Sequence, residues 1–300
     1  MARPDICIVL NRGSGRRSRD AVARIRAAMD RHPGRFALRA VPRRADPGAV
    51  ARRAAEEGVA TLVAAGGDGT IGAVAEVAAR QGLTLGVVPM GTFNFFARGL
   101  GLPEDLDAAM DLIARGPTRR VALAEVNGRV FLNNASLGLY PAILARREGT
   151  YRRWGRSRMA AHWSVLATFA RFHRPLSLRV VVDGKTIRTR TPLVFVARSG
   201  YQLERFGLRG AEEARDGRFA LFLAPDSSRL QLLVFAVRLA WRSMREGRDY
   251  AFASGRSIDI ETRSPRRLVA RDGERERMEA PFRFRMLDDA LSVIAPDDPA

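Results

Sequence analysis

The sequence contains very little lysine, cysteine or histidine. Lys185 is the only lysine among the 51 lysine and arginine residues, so arginine supplies almost all of the formal net charge of +19. The single cysteine, Cys7, excludes an internal disulfide framework and a cysteine metal site, and it is typical of a reducing cytoplasm. The three histidines, His32, His162 and His173, lack metal-ligand spacing, and no Ser-His-Asp arrangement that would indicate a hydrolase stands out.

Long apolar runs are also missing. No uninterrupted apolar stretch reaches the ~20 residues that a membrane-spanning helix needs, and no charged-then-apolar leader pattern opens the chain. We therefore expect neither a membrane span nor a signal segment. Zinc-finger spacing, an aromatic RNA-binding signature and a helix-turn-helix pattern are absent too, so nucleic acid is not an expected partner. The positive charge still favours anionic partners such as nucleotides or anionic lipid headgroups.

The pattern of apolar runs divides the chain into two domains. Residues 1–125 alternate short strand patterns with helical ones, which predicts an α/β domain with a doubly wound parallel sheet. Residues 126–288 are dominated by hairpin-like pairs around turns such as Asn127-Gly128 and Asp183-Gly184, which predicts a mostly antiparallel β domain. The predicted strands are Ile6–Leu10, Phe36–Val41, Leu62–Ala65, Leu83–Val88, Val121–Val126, Val130–Ala135, Leu176–Val182 and Thr186–Ala197.

Two helical patterns interrupt the second domain, over residues 156–173 and 227–246. Both mix arginines with aromatic and aliphatic side chains, a composition that suits a bilayer interface. In the second pattern Arg238, Arg242 and Arg245 fall on one face. Amphipathic helices that pack on the β domain and leave their arginines in solvent explain the same pattern, so both interpretations stay open. The apolar positions of the second helix are Leu232, Val234, Phe235, Leu239 and Trp241.

The segment Gly66–Thr70 lies between an apolar strand pattern, Val59–Ala65, and a helical one, Ile71–Gln81. Its glycines let the backbone approach an anion, and the first amides of the next helix point outward to attract phosphate. Asp68 would repel phosphate unless its carboxylate binds Mg²⁺, a hydroxyl or an amide. The segment therefore indicates metal-assisted phosphate chemistry, although a tight turn with Asp68 as helix cap remains an alternative.

A second turn of this kind follows the next strand pattern. Residues 86–98 run from a strand into Gly91-Thr92-Phe93-Asn94 and then into an apolar helix start. In an open parallel sheet, ligands bind outside the carboxyl ends of the strands, where neighbouring loops surround one crevice. The two turns together therefore predict a nucleotide site.

Taken together, Gly66–Thr70 and Pro89–Asn94 resemble the diacylglycerol kinase catalytic domain of bacterial lipid kinases and sphingosine kinases. The resemblance extends to Asn11–Gly15, Asp216-Gly217 and Asp272-Gly273-Glu274, and so covers most of the chain. It implies an NAD-kinase-like α/β domain, a β-rich C-terminal lipid-kinase domain, and a return of residues 289–300 to the first domain. It also implies a cytoplasmic protein that associates peripherally with membranes, and it leaves a homodimer open.

The resemblance further implies the reaction and its residues. The expected activity is ATP- and Mg²⁺-dependent phosphorylation of a hydroxyl of diacylglycerol or a related lipid at an anionic membrane surface. Glu274 would be the proton acceptor, Asp68 a second catalytic group, and Asp216 a ligand of a structural Mg²⁺. The implied nucleotide-binding residues are Asn11, Ser14, Gly15, Gly66, Gly67, Asp68, Gly69, Thr70, Gly91, Thr92 and Asn94.

Several positions depart from the family pattern. Gly72 and Ala73 stand where relatives have an Asn-Glu pair, and Phe95 stands where many place an Asp after Asn94. The losses would weaken metal or nucleotide binding, whereas Phe95 would widen the apolar surface offered to a lipid. Two alternatives therefore remain: a kinase of a soluble acceptor such as NAD, and a non-catalytic protein that binds nucleotide or anionic lipid.

Overall fold

A computed structural model describes residues 4–11, 18–139 and 175–297. The chain forms two compact units, one of Met1–Leu123 with Leu287–Ala300 and one of Ala124–Met286. The predicted helix over residues 156–173 lies outside the described residues, as do the loop positions Ser14 and Gly15. Within the described part of the chain, no helix is both long and apolar enough to cross a membrane.

The first unit contains a parallel sheet with the strand order β2-β1-β3-β4. All five residues of the central strand β1 are buried, as expected for a strand covered on both faces. The end of strand β16 (Phe282–Ile294) joins the same sheet, because Ser292 and Val293 pair in parallel with Thr84 and Leu85 of β4. The strands are β1 Ile6–Leu10, β2 Phe36–Ala40, β3 Thr61–Gly66 and β4 Thr84–Pro89.

Helices pack on this sheet and confirm the predicted doubly wound α/β class. Their limits follow local chemistry: Asp46 caps α2 by accepting hydrogen bonds from the amides of Gly48 and Ala49, and Gly82, at φ +66°, ends α3. Ile25 of α1 and Ile113 of α5 share one apolar core with the sheet. The helices are α1 Ser18–Asp30, α2 Pro47–Glu56, α3 Asp68–Gln81, α4 Phe95–Gly99 and α5 Leu106–Arg115.

The second unit is a β-sandwich, which confirms the predicted antiparallel domain. One sheet has the antiparallel order β12-β11-β10-β7-β14-β15, and the other contains β16-β13-β8-β9 with β5 and β6. Three buried phenylalanine rings, Phe131, Phe219 and Phe284, contact one another in the core between the sheets. The strands are β5 Thr118–Val126, β6 Arg129–Phe131, β7 Asn134–Gly138, β8 Leu176–Val182, β9 Lys185–Thr191, β10 Leu193–Ala197, β11 Phe219–Leu223, β12 Ala251–Gly255, β13 Ser257–Thr262, β14 Arg266–Arg271 and β15 Glu274–Glu279.

One predicted strand, Val130–Ala135, is in fact two. The backbone leaves one sheet after β6 and joins the other sheet at β7. At the break, the amides of Leu132 and Asn133 donate hydrogen bonds to the carboxylate of Asp272, at 2.6 and 2.8 Å. These amides are satisfied by a side chain far along the chain instead of by a neighbouring strand, which is why the local pattern could not reveal the interruption.

The predicted strand Thr186–Ala197 is also two strands, β9 and β10, which belong to different sheets. Pro192 lies between them and has no amide to continue a ladder. The predicted helix over residues 227–246 is shorter than expected, since α8 spans Arg229–Ala240. Two further short helices, α6 (Gly200–Phe206) and α7 (Ala211–Arg215), complete the helices of this unit among the described residues.

A buried carboxylate, Asp249, fixes the chain that follows α8. It forms ion pairs with Arg238 of α8 and with Arg248, the latter at 2.6 Å, and accepts a hydrogen bond from the Arg245 amide at 2.9 Å. Burial alone would raise the pKa of Asp249, but these partners outweigh it and lower the pKa from 3.8 to about 2. The carboxylate therefore stabilises the fold in its ionised form.

We predict that Asp249→Asn destabilises the protein by about 1–3 kcal/mol at neutral pH, because the substitution leaves two arginines without their shared anion. Since the folded pKa of about 2 lies below the ordinary 3.8, this stabilisation is complete above the ordinary value and is lost as the pH falls through about 2. Urea unfolding at several pH values measures both effects.

Asp226→Asn is the matched control, because Asp226 forms an exposed ion pair with Arg190 at 3.3 Å. We expect it to cost less than about 1 kcal/mol. Equal losses from the two substitutions would contradict the role assigned to Asp249.

Candidate active site

Two glycine loops meet at the carboxyl ends of β3 and β4. The Met90 amide donates a hydrogen bond to the Gly66 carbonyl at 2.8 Å, which extends the pairing of the strands into the loops. A Cβ on Gly91 would lie 2.6 Å from the Gly67 Cα, and a Cβ on Gly66 would lie 2.6 Å from Thr70 Oγ1. Both distances are too short for a side chain, so glycine is required at these positions.

Asn94 shapes the second loop from inside. Its Oδ1 accepts a hydrogen bond from the Gly91 amide at 2.9 Å, and its Nδ2 donates one to the Gly91 carbonyl at 3.2 Å. The residue is buried and adopts φ +50°, a left-handed conformation that asparagine tolerates better than most residues. Because the Asn94 amide closes the loop on itself, Thr92 and Phe93 are left exposed.

The first turn of α3 begins without a side-chain cap. Gly67 occupies the N-cap position and provides no side-chain cap for the first amides of the helix. Asn11, which follows β1, donates from Nδ2 to Thr70 Oγ1 at 3.0 Å and so joins the loops after β1 and β3. Uncapped amides at a helix N-terminus, with the positive end of the helix dipole behind them, bind phosphate oxygens.

Asp68 is the one carboxylate at this helix start. Burial raises its pKa, and the backbone amides of Phe96, Phe95 and Asn94 oppose that effect. Its Oδ1 is buried and has no hydrogen-bond partner among the described residues. A buried carboxylate oxygen without a partner is costly, and a divalent cation would satisfy it. This oxygen is therefore one available ligand for Mg²⁺, whose other ligands would come from phosphate and water.

Phe95 does not enlarge the apolar surface of this loop, contrary to expectation. The side chain is 8% exposed, whereas its neighbour Phe93 is 52% exposed. The two rings stack with centroids 5.3 Å apart and planes 9° apart. The exposed apolar group is therefore Phe93. The family pattern drew attention to Phe95 instead, because that position departs from it.

The turn between β14 and β15 contains the second candidate group. Asp272 and Gly273 have φ of +45° and +89°, as in a tight hairpin turn, and Glu274 begins β15 with an exposed side chain. The Asp272 carboxylate accepts hydrogen bonds from three consecutive amides, those of Leu132, Asn133 and Asn134, at 2.6 to 3.2 Å. Asp272 thus fixes the turn, while the Glu274 carboxylate remains accessible.

A partly buried arginine, Arg198, interacts electrostatically with Asp272. Burial lowers the pKa of Arg198 to about 10, and the negative charge of Asp272 opposes that shift. Asn134 is buried and donates from Nδ2 to Gln202 Oε1 at 3.0 Å. The sequence motifs predict no role for Arg198, Asn134 and Gln202, although polar residues inside an apolar strand pattern are a visible signal. The buried polar residues of β7 and the residue before it are Asn133, Asn134 and Ser136.

Asp216 has a different environment from Asp68. It is exposed at the end of α7, where its amide donates to the Glu212 carbonyl at 2.9 Å. Among the described residues, no group of three or more histidine, cysteine, aspartate or glutamate side chains is placed to hold a metal ion. A Mg²⁺ at Asp216 would depend on carbonyl and water ligands, and its assignment rests on the resemblance alone.

Two family models match the chain. Residues 5–126 match the diacylglycerol kinase catalytic domain, and residues 141–295 match the YegS C-terminal NAD kinase beta sandwich-like domain. The chain belongs to the diacylglycerol kinase and YegS-like lipid kinase family. The resemblance inferred from the sequence motifs is thereby confirmed. A kinase of this family takes its phosphoryl group from a nucleotide.

Named relatives and solved structures agree with this family. A Pseudomonas aeruginosa protein named as a probable lipid kinase, YegS-like, is 37% identical over 148 residues, which is 48% of this chain and 48% of the relative. A Staphylococcus aureus diacylglycerol kinase is 27% identical over 260 residues, 83% of this chain and 78% of the relative. The match thus spans about half of the first relative and most of the second.

The fold is similar to that of a diacylglycerol kinase from Bacillus anthracis, with a TM-score of 0.69 at 18% identity over 99% of this chain and 98% of that chain. Another structure from the same bacterium has a TM-score of 0.73 at 20% identity, over 99% of both chains. At such low identity the likeness concerns the fold alone.

We predict that Asp68→Asn leaves the protein as stable as wild type or makes it more stable, because it removes a partly buried charge. The pKa of Asp68 is higher in the folded protein than its ordinary value of 3.8, so the ionised form of Asp68 lowers the stability of the fold. The free energy of unfolding therefore falls as the pH rises from below 3.8 through the folded pKa. Thermal unfolding between pH 3 and pH 8 should show a smaller decline with rising pH for Asp68→Asn. A clear drop in melting temperature at neutral pH would contradict this account.

Proposed function

We propose that this protein is an ATP- and Mg²⁺-dependent lipid kinase that phosphorylates a hydroxyl of diacylglycerol or a related lipid. The observation that carries the proposal is the pair of touching glycine loops beside an uncapped helix N-terminus and a carboxylate with one buried, unpaired oxygen. Family membership and the names of the relatives support it. Such a site holds phosphates by backbone amides and needs a cation at the carboxylate.

In this proposal the nucleotide phosphates bind along the first loop and the start of α3, from Gly66 to Thr70, and at Gly91 and Thr92. Asn11 and Asn94 hold the loops in shape through their bonds to Thr70 and Gly91. Asp68 holds the divalent ion through its unpaired oxygen. When bound, Mg²⁺ offsets the negative charge of the phosphates. Ser14 and Gly15 belong to the proposed nucleotide site by resemblance, and Asp216 to a separate structural Mg²⁺.

Glu274 is the proposed general base. It accepts the proton of the lipid hydroxyl while that oxygen bonds to the γ-phosphorus of ATP; the bond from this phosphorus to the β–γ bridging oxygen breaks, and ADP leaves. Asp272 is a positioning residue in this scheme, because its three amide bonds fix the turn that presents Glu274. The exposed side chain of Glu274 leaves it free to meet an acceptor.

We further propose that the protein works in the cytoplasm as a peripheral protein on an anionic membrane surface. Its charge of +19 attracts such a surface, and diacylglycerol resides in bilayers. Cys7 suits a reducing compartment as an unreactive thiol, because burial raises its pKa to about 11.

The test is transfer of labelled γ-phosphate from ATP to diacylglycerol in anionic vesicles with Mg²⁺. Wild type should form phosphatidate. Glu274→Gln should lower the rate by about 10²–10⁴-fold, the usual contribution of a general base, with ATP binding retained. Asp68→Asn should lose both the Mg²⁺ dependence of ATP binding and the transfer.

Glu279→Gln is the matched control for Glu274→Gln. Glu279 lies on the same strand, is exposed and, among the described residues, forms its ion pair with the surface residue Arg266, at 2.7 Å. Its loss should therefore leave the rate unchanged. Phosphorylation of NAD instead of any lipid would favour the soluble-acceptor alternative. ATP binding with no product across a panel of lipids would favour the non-catalytic alternative. Either result would overturn the proposal.

A further inference from the structure

Helix α8 is apolar on two opposite sides. Phe235 and Leu239 pack against a small core with residues of α6, β11 and the chain after α8, including Leu203, Phe222 and Tyr250. Leu232, on the same side of the helix, is buried. Each residue of an α-helix is rotated by about 100° from the one before it, so residues that follow one another at steps of three or four positions share one side. A series of such residues that starts at Leu230 lies on the other side of the helix. These are Val234, Val237 and, directly after the helix, Trp241.

The outer side consists of large apolar groups in solvent. The exposed fractions are 77% for Leu230, 45% for Val234, 52% for Val237 and 81% for Trp241. We call these four residues the α8 outer face. Single exposed apolar residues are ordinary, but a contiguous row along one helix indicates a binding surface. The helix is held rigidly beneath it, because Arg238 is bound to the buried Asp249.

The charges next to the α8 outer face are positive. Between residues 226 and 250 the sequence has five arginines and three acidic residues. Each of these acids already pairs with arginine: Asp226 with Arg190, Glu246 with Arg209, and Asp249 with two arginines. Arg242 and Arg245 are exposed and have no carboxylate partner among the described residues. They therefore present uncompensated positive charge beside Trp241.

We propose that the α8 outer face docks on an anionic lipid bilayer, with Leu230, Val237 and Trp241 inserted at the level of the headgroups and Arg242 and Arg245 on lipid phosphates. Tryptophan favours this interfacial level, and amphipathic helices with a basic rim bind anionic lipid in this way. The inference rests on the proposed function in one respect, since a lipid substrate gives the protein a reason to reach a bilayer.

A second copy of the chain is a poorer fit to this face. A two-fold interface would bring the same patch of each protomer together, and would therefore place the uncompensated charges of Arg242 and Arg245 close to their own copies. An anionic bilayer complements both the apolar row and the arginines.

The test is sedimentation of the full chain with vesicles of phosphatidylcholine alone or mixed with phosphatidylglycerol, at low and high salt. Wild type should bind only the anionic vesicles, and more weakly at high salt. Val237→Ser/Trp241→Ser and Arg242→Gln/Arg245→Gln should each weaken binding on the order of tenfold or more. Trp241→Phe and the exposed-arginine control Arg188→Gln should bind like wild type. Thermal unfolding checks that the variants are folded.

Transfer of phosphate to diacylglycerol in detergent micelles is measured alongside. Failure of wild type in micelles would overturn the proposed function, whereas the vesicle result would still decide the docking face. Docking is overturned if wild type does not bind anionic vesicles, or if both double variants bind as wild type does. It is also overturned if wild type is a dimer by light scattering and Val237→Ser/Trp241→Ser makes it a monomer.

Discussion

The contact between Gly67 and Gly91 is the constraint on which the candidate active site depends. Parallel pairing of β3 with β4 brings the ends of both strands to one edge, and the absence of side chains lets the following loops touch backbone to backbone. Asn94 then turns the second loop inward, and Thr70 and Asn11 fix the first. The Asn94 bond lies within the second loop, and the Asn11 bond joins the loops after β1 and β3. The close approach of the two glycine loops therefore depends on the glycines themselves.

Two carboxylates illustrate how stability and function differ in this protein. Asp272 accepts three amide bonds and stabilises the turn at β14 and β15. Asp68 is partly buried, its buried Oδ1 has no hydrogen-bond partner among the described residues, and burial raises its pKa. A group that costs stability is retained where it serves a ligand, which is the usual signature of a functional site. The different surroundings of these residues thus support the ligand role proposed for Asp68 and distinguish it from the structural role of Asp272.

The sequence predicted the domain types and the glycine loops because both depend on local patterns: apolar periodicity for the strands, and glycines at strand ends for the loops. It did not predict the break at Leu132 and Asn133, because the acceptor is Asp272, some 139 residues away in the chain. Burial of Phe95 in place of Phe93 depends on how the loop turns at Asn94, which composition cannot show. The break at Pro192 could have been predicted from proline chemistry.

The most direct test of this account is the affinity of Gly91→Ala for ATP with Mg²⁺, measured by calorimetry beside Thr92→Ala. The added Cβ would lie 2.6 Å from Gly67 Cα and 2.7 Å from Asn94 Oδ1, so the loops must separate. We predict that Gly91→Ala loses at least about tenfold in affinity, equivalent to about 1.4 kcal/mol, while Thr92→Ala loses less and remains folded. Wild-type affinity in folded Gly91→Ala would contradict the claim that the contact between the loops builds the nucleotide site.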